Sequence, residues 1–405
     1  IVSTSDDQIG ITSGDLVREW NENGRNYYHY KMEQKIINFF AFISAKYEVQ
    51  KDEWNGIPVE VYYQKGHEYN VGYMLKAMRT SLEYYSKNFS PYQFNQLRIF
   101  EFPRFSTFAQ AFPNMIPFSE GIGFIDKIDK DLEGYNYPFF ITAHETAHQW
   151  WAHQVISAGV KGVTIPTELL AQYSALMVTK QQMNQKEWMK LLKFNREEYL
   201  ARRSTEKNKE SSLLLVENQI YLNYYKSILV MNTLESFIGQ DSINAALARY
   251  IDHVAYQEPP YTTSLELIEH LKQATPDSLQ YLYTDLFEKI TFYDFRTEKA
   301  DYKILDNENF EVNLNIKAKK FYADSIGNEE QTSVNEWVDI VVYAEATNGE
   351  ADEEIYCQKH KIAKENVDIS IQVDRRPTKS GIDPYYQYID KIVSDNIVKT
   401  EELEE

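Results

Sequence analysis

The chain reads as an α+β protein, and three observations carry that reading. Its opening stretch and its last third hold short runs with apolar residues at every second position, the period of half-buried strands. Between them the apolar residues recur every three to four positions, as on helices packed against a core. The core material is ample: 43% of the 405 residues are apolar, with 31 Tyr and 21 Phe among them. That length exceeds one ordinary core, so two to four domains are expected.

Charge and cysteine content exclude several classes. A net charge of −19 argues against nucleic acid or an anionic membrane surface as partner, although it does not identify a substrate. Cys357 is the sole cysteine, so no internal disulfide can form. No run of about 20 apolar residues is present, and nothing in the chain reads as a membrane span. The sequence starts at Ile1 without a methionine or a signal-peptide pattern, which suggests an excised domain or a processed product.

In chain order, residues 1–25 are polar and rich in Gly, Asp and Asn, and read as a loose lead-in. Residues 26–64 are strand-like, in runs beginning at Tyr27, Ile36 and Ile57, with an Asn55-Gly56 turn before the last. Residues 70–88 form an amphipathic helix with Met74, Leu75, Met78, Leu82 and Tyr85 on one face. After Pro91, residues 96–103 alternate as a strand. From Pro138 the spacing predicts a buried helix, with Phe140, Ala143, Ala147 and Trp150 as its apolar stripe and Gly159 as its stop. A second helix over 166–177 buries Leu169, Leu170, Tyr173, Leu176 and Met177, and the Gly- and Pro-containing link turns the chain so that the two lie antiparallel. Residues 180–290 are helical, for example 184–203 and 224–238. From Tyr302 onward the period is two, through Phe310, Val312, Leu314 and Ile316, then Val338, Ile340 and Val342, then Val367, Ile369, Ile371 and Val373. With turns such as Asn348-Gly349, this predicts a β-sandwich. The acidic tail 401–405 is expected to fray.

The chemistry concentrates in the first buried helix, in His144-Glu145-Thr146-Ala147-His148. Histidines four apart share one helix face, and their imidazoles can hold two tetrahedral positions of Zn²⁺. Glu145, one step round, can reach a metal-bound water without being a ligand. A catalytic site needs a third protein ligand, and Glu168 at the start of the second helix is the candidate. A histidine on an apolar helix face is more often a hydrogen-bonded core residue than a ligand; the pattern in a buried helix with a carboxylate on the next one favours the metal. His29 and His67 lack ligand spacing and read as ordinary strand or surface residues. His253 and His270 read as structural residues without partners, and His360 is not assigned to metal.

His-Glu-Thr-Ala-His-Gln-Trp-Trp together with Glu168-Leu-Leu-Ala-Gln-Tyr173 resembles the M1 (aminopeptidase N-like) family of gluzincin metallopeptidases, and looks closest to M1-like domains fused to bacterial transporter-type permeases. The family reads H-E-x-x-H-x18-E. Here nineteen residues intervene and Leu169 replaces a glycine, the surplus residue being assignable to the loop between the helices. The resemblance implies a thermolysin-like zincin domain with a helical subdomain, flanked by β-sandwich elements. The corresponding divisions are 1–65, a lead-in and the remainder of an N-terminal β domain; 66–183, the catalytic subdomain; 184–299, the helical subdomain; and 300–405, the C-terminal sandwich and tail. It implies one Zn²⁺ held by His144, His148 and Glu168, with Glu145 as base, and a peptide substrate. Glu120-Gly-Ile-Gly-Phe-Ile stands where the family carries its G-x-M-E-N strand, with Ser119 and Gly121 replacing Met and Asn, so Glu120 is the candidate for binding the substrate's free amine. Tyr221-Leu-Asn-Tyr-Tyr-Lys226 resembles the family's Y-x-K-G segment, with Ser227 in place of Gly. The lysine register makes Tyr224 the candidate oxyanion donor, with Tyr221 and Tyr225 as alternatives. The run from Arg375 to Pro384 is similar to the end of the permease-fused domains, which implies permease segments in the full-length chain and a soluble, extracytoplasmic or membrane-associated setting. A non-catalytic zinc- or peptide-binding module and a zinc endopeptidase stay open as readings.

Overall fold

The structure, a computed structural model, describes residues 1–128, 136–306, 308–346 and 352–403. Two compact units emerge: one from Ile1–Phe194, Leu214–Ile228 and Ile238–Gln280, the other from Asn195–Leu213, Leu229–Phe237 and Tyr281–Glu405. Helices and sheets both contribute heavily, as an α+β protein requires. Among the described residues no helix is long and apolar enough to cross a membrane.

The first unit opens with strands where the sequence reading expected a loose lead-in. β1 (Val2–Ser5), β2 (Ile9–Thr12), β3 (Asp15–Glu22), β4 (Arg25–Lys31) and β5 (Phe42–Ala45) form two small sheets, ordered β1-β4-β3 and β2-β5. Asn23 and Gly24, both with positive φ (51° and 71°), close the two-residue hairpin between β3 and β4. Ile11 drives the association by packing with Phe100 and Met115. The run expected as one strand from Ile36 pairs only over Phe42–Ala45, while Phe39 before it stacks on Phe112 at 4.3 Å.

A four-stranded sheet follows, in the order β6 (Glu48–Trp54), β7 (Ile57–Tyr63), β8 (Leu97–Phe102), β9 (Met115–Ser119). The Asn55-Gly56 turn lies where the sequence put it, with φ of 48° and 81° and Trp54 opposite Ile57. β7, β8 and β9 run parallel, and β8 and β9 are buried on both faces, as their apolar runs, broken by Arg98 and Glu101 in β8, require. Helix α1 (Val71–Asn88) connects β7 to β8 and buries the expected face. Further helices are α2 (Tyr137–Ala147), α3 (Leu170–Lys180), α4 (Gln185–Ser204), α5 (Ser227–Ile238), α6 (Gln240–Val254), α7 (Ser264–Gln273) and the one-turn α8 (Tyr281–Tyr283). His253 and His270 are not without partners: their rings lie 5.7 Å apart, and His253 sits 3.5 Å from Glu266.

The second unit holds two sheets. One has the order β12 (Glu329–Thr332), β11 (Phe310–Ala323), β10 (Ile290–Ile304), β18 (Glu401–Glu402), with β15 (Asn366–Val373) also on β11; the other is β14 (Glu353–Ile362), β13 (Glu336–Ala344), β16 (Pro377–Ile382), β17 (Ile397–Lys399). Their inward residues share one core, including Val312, Leu314, Ile316, Val338, Ile340 and Val342, so the alternating runs do build a sandwich. The Asn348-Gly349 turn lies outside the described residues. At the start of the tail, Glu401 and Glu402 are not frayed as their charge suggested: they pair in parallel with Asp301 and Tyr302. Inside this unit Lys320 bridges the buried carboxylates of Asp285 and Glu336 at 2.6 and 2.9 Å. His360 accepts or donates a 2.7 Å hydrogen bond with Tyr356. Cys357 is half-buried on β14, and burial pushes its thiol up to about 12.

Asp383 and Asp390 are buried here, and desolvation pushes both carboxyls up to about 7. The unfolded chain gives such groups up near 4, so between roughly pH 4 and 7 the folded state holds protons the unfolded state has lost. Their contribution is therefore full below about pH 4 and fades as pH rises through 7. Urea midpoints measured from pH 5 to 8 should fall with pH, and the Asp383→Asn, Asp390→Asn double variant should show a flatter slope. An unchanged slope would refute the assignment.

Candidate metal centre

The His-Glu-Thr-Ala-His helix is set by local chemistry. Asn136 caps α2 by accepting from the Phe139 N–H at 3.0 Å, and Pro138 sits in the first turn, where its missing N–H costs nothing. Regular helix stops at Ala147, well short of the expected Gly159. Beyond it the chain stays coiled with mixed spacing: Trp150 N–H reaches back three residues to Ala147 O, while His153 N–H reaches back five to His148 O. Adjacent tryptophans lie about 100° apart on a regular helix. Here Trp150 and Trp151 are both fully buried, and their indole N–H groups find Ser90 O (2.8 Å) and Ser174 Oγ (2.9 Å). The altered coil satisfies both.

His144 and His148 converge as the four-residue spacing requires, their Nε2 atoms 3.0 Å apart. Glu168 joins them, with Oε2 3.3 Å from His144 Nε2 and Oε1 3.7 Å from His148 Nε2. It occupies a widened π-type turn, Ile165–Leu169, in which Leu169 N–H reaches back five residues to Thr164 O (3.3 Å). Thr164 in turn donates to Asn223 Oδ1 at 2.8 Å, and Gly162 N–H donates to Val216 O at 3.1 Å. These bonds tie the turn of Glu168 to the turn of Tyr224. Gly162 has φ +85°, and a Cβ there would lie 2.4 Å from Leu214 O, so only glycine fits.

The donor set suits a divalent zinc-type ion. A tetrahedron with bonds of about 2.0–2.1 Å has edges of about 3.3–3.4 Å, and the three observed separations bracket that value. Trp151 O lies 2.9 Å from His148 Nδ1, which fixes the tautomer with its Nε2 lone pair facing the cluster. Glu168 Oε2 and Glu145 Oε2 are buried without a hydrogen-bond partner, as carboxylate oxygens awaiting a cation and a water would be. Burial alone would push His148 down and Glu168 up, yet their mutual attraction wins: His148 rises to about 9 and Glu168 falls well below the carboxylate range. The cluster is a place that demands positive charge.

Around this centre the other predicted residues fall as follows. Glu145 is buried, and desolvation raises its carboxyl; the neighbouring imidazoles and the Ala111 N–H oppose that rise. Of the three tyrosines, Tyr224 stands at the cluster, its ring centroid 5.8 Å from that of His144, and burial together with the charges of Glu168 and Glu145 raises its hydroxyl. Tyr221 accepts from Gln219 instead (3.3 Å), and Tyr225 packs on Phe194. Glu120 is not on a strand: it begins a π-type turn, Glu120–Phe124, directly after β9, with Oε1 accepting from Arg104 N–H at 3.1 Å. His67 is more than a surface residue, because its Nδ1 bonds the buried Glu101 and lies 3.9 Å from Glu120 Oε2. This second imidazole–carboxylate group had a sequence signal, the acidic Glu101 set among the apolar residues of β8. Gln149 and His153, also missed, are buried beside α2, and desolvation lowers His153 to about 4, so it is neutral.

A helix-borne pair of imidazoles, a carboxylate from the next turn within reach of both, and a second buried carboxylate beside them form a candidate metal centre. The sequence profile described as the peptidase family M1 domain matches residues 73–286, a span that contains all of these side chains. The chain therefore belongs to peptidase family M1 and is a metallopeptidase acting on peptides. No curated protein matches the chain.

Metal content should follow the three ligands. Elemental analysis of the purified chain should find one zinc, and His144→Ala or His148→Ala should bring it near zero at neutral pH. Dialysis at pH 5 should strip the wild type, since protons compete for both imidazoles. Retention of zinc by either variant would overturn the ligand assignment.

Proposed function

We propose that this chain is a zinc aminopeptidase with a thermolysin-like catalytic core, in which His144, His148 and Glu168 hold the ion. The observation that carries the reading is the convergence of those three groups beside a buried carboxylate, Glu145, that keeps one oxygen unpaired. When bound, zinc supplies Lewis acidity, polarising the scissile carbonyl and bringing a water toward a pKa of about 7.

The protein's own residues do the rest. Glu145 accepts the proton of the attacking water and returns it to the leaving amine; its raised proton affinity suits both halves of that exchange. The Tyr224 hydroxyl, kept protonated by burial and by the adjacent carboxylates, donates to the oxygen that gains charge as water adds to the carbonyl. Glu120 accepts from the substrate's α-ammonium, which places the first peptide bond, and no other, at the reacting position. His148 is oriented by Trp151 O and needs no further partner.

Glu145→Gln should retain zinc and lose on the order of 10³-fold or more in kcat, and Tyr224→Phe about 10²–10³-fold, both read with a fluorogenic aminoacyl amide on zinc-loaded protein. A Glu145→Gln enzyme as fast as wild type would refute the base. Free-amine peptides should be cleaved and their N-acetylated counterparts spared, and Glu120→Gln should raise KM for the former at least about tenfold. Equal cleavage of blocked and free peptides would replace the aminopeptidase by an endopeptidase. No cleavage by the zinc-loaded protein would leave a binding module.

A further inference from the structure

Residues 108–112 return along the outer edge of β9 as a hairpin arm. Ser119 N–H donates to Phe108 O (3.0 Å) and Gln110 N–H to Pro117 O (3.1 Å), while Phe112 and Met115 exchange bonds of 2.8 and 3.2 Å. The turn is Pro113-Asn114, with Asn114 at φ +54°, a conformation asparagine tolerates. In such a pair successive residues alternate their backbone groups, so those of Gln110 and Phe112 address β9 and those of Ala111 face the other way. What they face is the coil after α2. Ala111 C=O accepts from His153 Nε2 at 3.1 Å; by the same alternation its N–H points to that side, where it opposes the rise of the Glu145 carboxyl. Beside them the Gln149 amide spans the turn, its Nε2 donating to Phe112 O (3.0 Å) and its Oε1 accepting from Asn114 N–H (2.9 Å).

We propose that His153 and Gln149 are positioning residues: they pin segment 111–114 to the coil after α2 and thereby set the Ala111 N–H against Glu145. The catalytic half of this inference rests on the role given to Glu145 above. A carboxylate approached by an amide on one oxygen keeps the other in a defined place, and apo geometries of this kind are loose and tighten with substrate. The chemistry of His153 supports a specific duty. Ala111 O can only accept, so Nε2 carries the proton and Nδ1 is left as a buried acceptor without a partner. An apolar ring would fill the space without that cost. What the imidazole alone adds is the bond from Nε2.

That atom gives a discriminating test on the zinc-loaded full chain. A glutamine places its amide nitrogen about as far from Cα as Nε2, an asparagine about as far as Nδ1. His153→Gln should keep kcat close to wild type. His153→Asn should lower kcat by about 10- to 100-fold with KM and zinc content unchanged, and should speed deuterium exchange at the Ala111 amide. Should His153→Asn fail to fold, Gln149→Glu, which keeps the acceptor for Asn114 and loses the donor to Phe112, carries the same readouts. The proposal is overturned if His153→Asn matches wild type in kcat, if His153→Gln is equally impaired, or if lost activity tracks lost zinc. A wild type that cleaves no peptide would sink the peptidase reading; exchange at Ala111 then judges the docking by itself, and an amide that exchanges equally fast in wild type and variant overturns it.

Discussion

Two imidazole nitrogens held 3.0 Å apart in a buried site cannot both present lone pairs to each other without a cation between or upon them. That constraint organises the first unit. Glu168 supplies the compensating negative charge, so a proton or a metal ion is required for the site to be balanced. Everything near it serves to keep the three groups in place despite their cost of burial. Trp151 lends a carbonyl to His148, the π-type turn of Ile165–Leu169 turns Glu168 inward, and Thr164 with Asn223 links that turn to Tyr224.

Much of this was legible, for identifiable reasons. Residues four apart on a helix must share a face, so the pairing of His144 with His148 followed from spacing alone. Asn55-Gly56 was readable because few dipeptides tolerate two positive φ angles in succession. The same logic applied to Asn23-Gly24, yet the polar residues around it masked the hairpin; Leu16, Val17 and Trp20 lie on a mostly exposed β3, whose pattern carries no burial signal. The extra residue before Glu168 could be counted but not placed. A π-type turn is a form that accommodates one residue more per turn than an α-helix, and nothing in Ile165-Pro-Thr-Glu-Leu169 announces it.

Contacts between residues distant in sequence were the ones that escaped. Glu101 meets His67 across 34 positions, and Lys320 gathers Asp285 and Glu336 from 35 and 16 positions away. Periodicity reports which face of an element is buried, not which buried charges will meet. For that reason the sandwich core of the second unit was predictable from its alternation, while its internal ion cluster was not. The early end of α2 belongs to the same class. Only the partners Ser90 and Ser174 show why two consecutive tryptophans should both turn inward.

Cys357, on its strand in the second unit, is a thiol with almost no thiolate at neutral pH. Alkylating and oxidising reagents act on the thiolate, so this side chain is a silent background for them. A cysteine introduced on an exposed loop would therefore take a spectroscopic probe selectively, with the native sulfur left in place.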